Sequence, residues 1–181
     1  MTAYTTLYTK RLLLRRFEAS DVDDALSYRD DIEFAHFLPH IPQPFTRDDA
    51  EAFVTLNISE PWDRSPTFAV VHGGRVIGSV NLELNTQSRS AMLGYAIGRP
   101  WWGQGIATEA AQSVMEWSVI NFALTQVWAS TDVRHVRSQR VLEKLGMRRE
   151  RIIPRHHLSR GGEPIDEVVY KIDLPDKGRE T

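Results

Sequence analysis

The chain has 181 residues, of which 41% are hydrophobic and 25% are charged, and its net charge is −2. These values are typical of one globular domain and argue against a disordered, collagen-like or coiled-coil chain. The near balance of acidic and basic residues argues against broad nucleic-acid or membrane binding. Because cysteine is absent, disulfides, thiolate-bound zinc and a cysteine nucleophile are excluded.

We expect a single domain over residues 1–181, with a core at 9–174 and a polar tail at 175–181. The apolar run from Leu12 to Leu14 is too short for a signal peptide. No stretch approaches the ~20 apolar residues that a membrane span needs. The sequence therefore predicts a soluble, cytoplasmic protein.

Alternating apolar residues and helix caps predict a mixed α/β layout rather than a doubly wound sheet. Ser20 and Thr46 are expected N-caps, and Gly146 is an expected C-cap. Prolines keep residues 36–45 out of regular structure. The predicted strands cover residues 7–17, 67–72, 75–85, 91–98, 126–132, 148–158 and 165–174. The predicted helices cover residues 20–31, 46–59, 106–122 and 135–145.

The most informative segment runs from Arg99 to Ala110, between a predicted strand and the start of a long helix. The first turn of a helix leaves amide groups unpaired and carries partial positive charge, so it suits an anion. Gly103 and Gly105 let the backbone approach a phosphate closely. Two glycines before a helix can equally form a plain tight turn. A dinucleotide-binding fingerprint fits less well, because Thr108 stands where a third small residue is needed.

Two segments carry a family resemblance, namely LGYAIGRPWWGQGIATEA at 93–110 and SQRVLEKLGM at 138–147. They resemble the GNAT N-acyltransferases, and more narrowly the RimJ/RimL-type branch, whose named members acetylate the N-terminal amine of ribosomal proteins. The likeness runs from about Thr9 to Asp173. It implies the GNAT fold, a mostly antiparallel twisted sheet of about seven strands with about four helices, and an acyl-CoA co-substrate.

The resemblance also implies where acetyl-CoA binds. The family's phosphate loop falls on residues 102–107, with Trp102 where Gln or Arg is usual. Pantetheine is expected along the preceding strand, and His135 stands where the branch has Asn. The residues expected to bind the co-substrate are Tyr95, Ala96, Ile97, Trp102, Gly103, Gln104, Gly105, Ile106, Ala107, Thr108, His135, Ser138 and Arg140.

Basic side chains share one face of the helix predicted at 135–145, with Arg137, Arg140 and Lys144 at helical spacing. This face is either solvated or forms a rim for the 3′-phosphate of CoA. On the same helix, Ser138 shares a stripe with apolar residues, which points its side chain towards the sheet.

Without cysteine, the natural mechanism is direct attack of a neutral amine on the thioester, with a backbone N–H holding the oxyanion. An α-amino group has a pKa of about 7.7–8.0 against about 10.4 for lysine, so a weakly placed base suffices for a peptide N-terminus. The resemblance favours Ser138 as the acid that protonates the leaving thiolate, ahead of Tyr95 and Tyr170. Glu109, in the first turn of its helix, is expected to be structural.

The general base is less clear from the motif. RimJ/RimL-type chains often carry Glu two residues before the Gly-Tyr pair, and that position is Met92 here. Glu83 is the best substitute, on the face of its strand opposite Val76 and Val80, although it can equally be a solvent-facing charge.

In this superfamily the segment that holds His36, His40 and Phe45 borders the acceptor groove. The pair His156-His157 is predicted on a strand, where neighbours point to opposite faces, so at most one lines a site. No metal is expected, because no motif such as His-Glu-x-x-His occurs.

A protein N-terminus, such as that of a ribosomal protein, is the leading acceptor by resemblance. A small amine or antibiotic is the alternative substrate, and a non-catalytic acyl-CoA-binding module is the alternative of another class. No nucleic-acid or membrane partner is expected, and the chain is expected to be a monomer or homodimer.

Overall fold

The computed structural model describes residues 5–175, which form one eight-stranded sheet, five α-helices and two short 3₁₀ helices. The strands are β1 Leu7–Tyr8, β2 Leu13–Arg15, β3 Thr67–His72, β4 Arg75–Asn85, β5 Ser90–Ile97, β6 Gln126–Asp132, β7 Arg148–Leu158 and β8 Pro164–Asp173. The helices are α1 Val22–Arg29, α2 Ile32–Ala35, α3 Arg47–Ser59, α4 Ile106–Phe122 and α5 Val136–Lys144. The predicted mixed α/β fold is confirmed, and the predicted tail beyond residue 175 lies outside the described residues.

The predicted first strand at 7–17 is wrong, because it is two strands joined by a turn. The Thr9 hydroxyl accepts from the Leu12 amide at 2.9 Å, and the Thr9 amide donates to the Leu12 carbonyl at 2.9 Å. These bonds fold the chain back, so that β1 and β2 pair antiparallel. The sheet therefore has eight strands instead of about seven.

The predicted helix at 20–31 is also wrong in its bounds. A 3₁₀ turn at Ala19–Asp21 precedes α1, which ends at Arg29. The Asp31 side chain accepts from the amides of Glu33 and Phe34 and so begins the short helix α2. The Thr46 cap of α3 is confirmed, with reciprocal side-chain bonds to Asp49.

The sheet has the order β1-β2-β3-β4-β5-β6-β8-β7, and every neighbouring pair is antiparallel except β5 and β6. This parallel pair is joined over only three residue pairs, from Ser90↔Gln126 to Met92↔Trp128. Beyond Met92 and Trp128 the two strands diverge. The backbone edge of β5 from Leu93 to Ile97 is therefore released from pairing on the β6 side, which opens the sheet at its centre.

Helices cover both faces of the sheet. On one face α4 and α5 pack over Val127 and Val168, with Leu142 of α5 in the same cluster. On the other face α1, α2 and α3 pack around Phe34 and Val54. Among residues 5–175, no helix is long and apolar enough to cross a membrane.

A β-bulge in β4 changes which side chains share a face of that strand. Val70 pairs with Gly78 and Val71 with Val76, so Ile77 is the extra residue on β4. Ile77 consequently packs with α4, and Val76 joins the cluster beneath α1 to α3. The prediction that Val76 shares a face with Val80 is wrong.

Candidate active site

A cavity of about 350 Å³ lies where β5 leaves β6, between the first turn of α4 and the helix α5. Every residue expected to bind a co-substrate lines it except Gln104, whose side-chain amide donates to the Pro100 carbonyl at 3.0 Å. One wall of the cavity has no signal in the sequence motifs. It comes from α2 and the residues after it, at Glu33, Phe34, Phe37 and Leu38.

The loop before α4 presents its backbone to the cavity. Gly103 and Gly105 have φ of 75° and 76°, the left-handed region in which glycine is free of Cβ strain. Within residues 5–175, the amides of 103–108 donate to no protein acceptor, whereas the Glu109 amide donates to the Gly105 carbonyl. Unpaired amides at a helix start carry partial positive charge, so this loop can hold an anion.

Glu109 helps to hold the loop before α4 in place, which is the structural role that its position predicts. Its carboxylate accepts from the Thr9 hydroxyl at 2.6 Å and pairs with the Arg11 guanidinium at 2.7 Å. Arg11 also donates to the Gln104 carbonyl at 2.9 Å. Burial raises the pKa of Glu109, but the hydrogen bonds from Thr9 and Arg11 outweigh it and hold the pKa below its ordinary value.

The Trp102 side chain lines the cavity and is held in a fixed orientation. Its indole N–H donates to the Ile97 carbonyl at 2.6 Å, which fixes the ring against β5. The Arg137 guanidinium of α5 lies 4.7 Å above the ring centroid, within cation–π range. A cationic group therefore stands over the loop position that the family fills with Gln or Arg.

Ser138 and Tyr95 meet inside the cavity. Their hydroxyl oxygens are 2.9 Å apart, and the Tyr95 hydroxyl donates to the Ser138 carbonyl at 3.0 Å. Burial raises the pKa of Tyr95 to about 12, so the phenol is protonated at neutral pH. The Ser138 hydroxyl is thereby held by an uncharged partner and retains a proton that it can donate.

His135 is a neutral wall of the cavity. Its ring stacks on Phe37 at 4.1 Å between centroids, and its Nδ1 lies 3.4 Å from the Thr131 hydroxyl. Burial, followed by the positive charge of Arg137, lowers the pKa of His135 to about 4. The imidazole therefore carries no charge at neutral pH and can exchange neutral hydrogen bonds, as an asparagine would.

Two other candidates lie away from the cavity. Glu83 is exposed on β4, opposite Met92 of β5. The Tyr170 hydroxyl lies 3.1 Å from Glu143 and 3.3 Å from Gln139, on the α5 side of the sheet. Neither Glu83 nor Tyr170 lines the cavity.

A second cavity of about 270 Å³ lies on the other side of Phe37, which lines both. His36 lines it, whereas Phe45 is buried in the core beneath α3. Arg160, from the turn between β7 and β8, donates from one nitrogen to the carbonyls of Ala35, Leu38 and Ile41. This arginine ties the proline-rich segment to the opposite wall.

The two adjacent histidines of β7 do not alternate as predicted. Their rings are 4.3 Å apart, and both lie near the Glu167 carboxylate. A bulge between Ile153 and His157 turns the strand, so that the two side chains lie on the same side, and neither lines either cavity.

The chain is similar in sequence and fold to known acetyltransferases. The N-acetyltransferase YnaD of Bacillus subtilis, described as uncharacterized, is 29% identical over 164 residues, covering 91% of this chain and 94% of its own. A GNAT-family acetyltransferase structure from Bacillus anthracis superposes with a TM-score of 0.81 at 26% identity, covering 93% of this chain and 98% of its own.

A structure described as a proposed ribosomal-protein-serine acetyltransferase from Vibrio cholerae has a TM-score of 0.78 at 26% identity. That match covers 96% of this chain and 100% of the other. The family model of the GNAT acetyltransferase domain matches residues 11–148. The chain therefore belongs to the GNAT acetyltransferase family, and it is an acetyltransferase.

Proposed function

We propose that the protein transfers an acetyl group from acetyl-CoA to a primary amine, most directly the α-amine of a protein or peptide. The observation that carries this proposal is the row of unpaired amides at 103–108, at the start of α4 and beside the free edge of β5. A diphosphate on these amides leads a pantetheine arm along β5 towards Ser138.

The residues present fit such a co-substrate at both ends. The free edge of β5 offers main-chain donors and acceptors at Tyr95 to Ile97, which suit the amides of pantetheine. At the outer end, Arg140 and Lys144 line the cavity, and Arg137 stands over Trp102. These cations suit the 3′-phosphate and the diphosphate, to which arginine donates charge-assisted hydrogen bonds.

In the reaction the amine nitrogen attacks the thioester carbonyl, and a main-chain N–H of the free β5 edge stabilises the oxyanion. The tetrahedral intermediate collapses, the carbon–sulfur bond breaks, and Ser138 gives its proton to the departing thiolate. The attacking nitrogen loses one proton as the amide forms, and that proton, passed through solvent, restores the serine hydroxyl. Tyr95 keeps the serine hydroxyl in place, since the two oxygens are 2.9 Å apart. The chain has no cysteine, so the acetyl group passes directly to the amine without a cysteinyl thioester.

The acceptor supplies much of its own reactivity. Because an α-amine has a pKa of about 7.7–8.0, a substantial fraction is unprotonated at neutral pH. A strong base is therefore not needed, and Glu83 assists through solvent from its exposed place beside Met92. Its contribution is tested by Glu83→Gln, which should flatten the acid limb of the pH–rate profile.

The second cavity supports an acceptor larger than a simple amine. It adjoins the first cavity at Phe37 and lies between the proline-rich segment and the β7–β8 turn, which is where we place the chain of a peptide acceptor. The structure from Vibrio cholerae is described as a proposed ribosomal-protein-serine acetyltransferase, which favours the same class of acceptor. The walls of the second cavity carry both signs of charge, with Arg134 paired to Asp132 at 2.6 Å.

Release of free thiol from acetyl-CoA tests the proposal, with peptides of varied N-terminal residues beside a panel of small amines and aminoglycosides. We expect turnover with peptides, and loss of that turnover when the peptide N-terminus is blocked. Turnover only with small amines would move the acceptor to the alternative class. Measurable CoA binding with no release from any acceptor would favour a binding module.

A further inference from the structure

We propose that His156, His157 and Glu167 form a binding site for a divalent transition-metal ion of the zinc type, at the β7–β8 hairpin. None of the three residues lines the cavity assigned to acetyl-CoA. The metal site is therefore separate from the proposed reaction, and its test does not depend on transferase activity.

The donor atoms already stand close to coordination spacing. The His157 Nε2 lies 3.5 Å from Glu167 Oε1, and the His156 Nε2 lies 3.9 Å from Oε2. All three donors lie within 4.8 Å of one another. Tetrahedral zinc, with bonds of about 2.0–2.2 Å, holds its ligand atoms roughly 3.3–3.5 Å apart. Small rotations of the two exposed imidazoles close the remaining gap.

The backbone explains why two adjacent residues point to the same place. Ile153 pairs with Glu167 and His157 with Ile165, so β7 carries two residues more than β8 in this interval. Arg155 takes φ of 50°, and its amide donates to the Asp166 carboxylate at 2.9 Å. A regular strand would separate the two imidazoles, whereas this bulge brings both of them to Glu167.

The surroundings of the Glu167 carboxylate also favour a bound cation. The Glu167 side chain is only 13% exposed. Among residues 5–175, the two imidazoles are the only basic groups within ion-pair distance of its carboxylate. A carboxylate withdrawn from water is stabilised by a counter-charge, which a bound metal ion supplies. Two imidazoles and one carboxylate form a ligand set that zinc uses, with a further position left for water.

Isothermal titration of the chelator-treated full chain with zinc chloride at pH 7.5 tests the site. We expect one equivalent of zinc to bind, and affinity to fall more than tenfold in His156→Ala, His157→Ala and Glu167→Gln. His72→Ala, at the end of β3, is the matched control and should bind zinc as the wild type does. Absence of zinc binding by the wild type, or undiminished affinity in Glu167→Gln, would overturn the proposal.

Cobalt(II) on the wild-type chain gives a second readout that requires no variant. A four-coordinate site predicts intense visible absorption that zinc displaces at one equivalent. A weak six-coordinate spectrum would overturn the proposal, as would absorption that persists in excess zinc. Thermal melting in chelator, with and without the substitutions, verifies that the variants fold.

Discussion

At the scale of single residues, the site depends on two groups that burial keeps uncharged. Tyr95, with a pKa of about 12, remains a phenol and steadies the Ser138 hydroxyl. His135, with a pKa of about 4, remains a neutral imidazole against Phe37. Both groups can therefore hold hydrogen bonds to a neutral arm of the co-substrate without adding charge beside the thioester.

Replacing Ser138 by Ala should reduce kcat by about 10²-fold, the usual contribution of a positioned proton donor. The Kd for acetyl-CoA should change little, because the serine acts on the leaving sulfur. Steady-state kinetics with a peptide acceptor and titration with CoA measure the two effects. Ser113→Ala, on α4 outside the cavity, is the control. An unaltered kcat in Ser138→Ala would remove the serine as the acid.

His135 makes the stability depend on pH in a defined direction. The folded pKa of about 4 lies below the ordinary value of 6.5, so between these pH values the unfolded chain binds more protons at this residue. Stability from His135 is therefore complete above pH 6.5 and is lost as the pH falls towards 4, by at most about 3 kcal/mol.

Urea unfolding at pH 7.5 and pH 5 of the wild type and His135→Asn checks this prediction. The variant has no imidazole to protonate, so its loss of stability on acidification should be smaller. Equal losses in the two proteins would contradict the assignment of a buried neutral histidine.

The sequence motif predicted which residues gather in the cavity, but not their protonation states or their contacts. Ser138 faces inward because it shares a helical stripe with Leu142, which is a local property. The neutrality of His135 depends on Phe37, which comes from the α2 side of the fold and is distant in sequence. The motif also gave no indication that Arg137 stacks on Trp102, since that contact joins two elements.

At the scale of elements, the binding proposed for the co-substrate centres on the start of α4. Gly105 opens the helix in a left-handed conformation without a side-chain cap. The amides that a Ser or Asp cap would occupy therefore stay available to a ligand. The Arg11–Glu109 pair holds the loop against the first hairpin, so the amides are fixed in direction before a ligand arrives.

Gly103→Ala should weaken CoA binding by about tenfold, because a left-handed alanine costs roughly 1–2 kcal/mol and the loop will relax away from its conformation. Gly74→Ala is a close control. Both glycines have positive φ, 75° and 80°, and a Cβ on either meets no atom within 4 Å. Both variants should lose similar stability in urea, while only Gly103→Ala should lose affinity in titration with CoA. Equal affinities for CoA would argue against the amide cradle.

Most element bounds followed from local pattern. β3, β4, β6, β7 and α4 occupy the residues predicted for them, since alternation, the Gly73-Gly74 turn and helical periodicity are encoded nearby. The errors occur where a polar side chain redirects the backbone, as Thr9 does in the first hairpin and Asp31 does before α2. The bulges of β4 and β7 likewise need partner strands to define them.

At the scale of the whole molecule, two adjoining cavities are proposed to hold the co-substrate and the acceptor. Phe37 lies between the two cavities, and the segment that carries it is tied across to the β7–β8 turn by Arg160. The acceptor wall is therefore built from two distant parts of the chain joined by one side chain.

Arg160→Met should loosen this wall while leaving the co-substrate side intact. Hydrogen exchange at the amides of residues 36–45 should become faster, because the carbonyls of Leu38 and Ile41 lose their common donor. The KM for a peptide acceptor should rise severalfold with little change in the Kd for acetyl-CoA. Arg148→Met, exposed at the start of β7, is the control. Unchanged hydrogen exchange at residues 36–45 would show that the hydrogen bonds of Arg160 do not stabilise this segment.

A crystal structure of the chain with CoA would show directly whether the amides at 103–108 bind the diphosphate. We expect diphosphate oxygens within hydrogen-bonding distance of the amides at 103–108, and pantetheine along Tyr95 to Ile97 with its sulfur near Ser138. A nucleotide bound elsewhere on the chain, or no CoA bound at saturating concentration, would contradict this expectation.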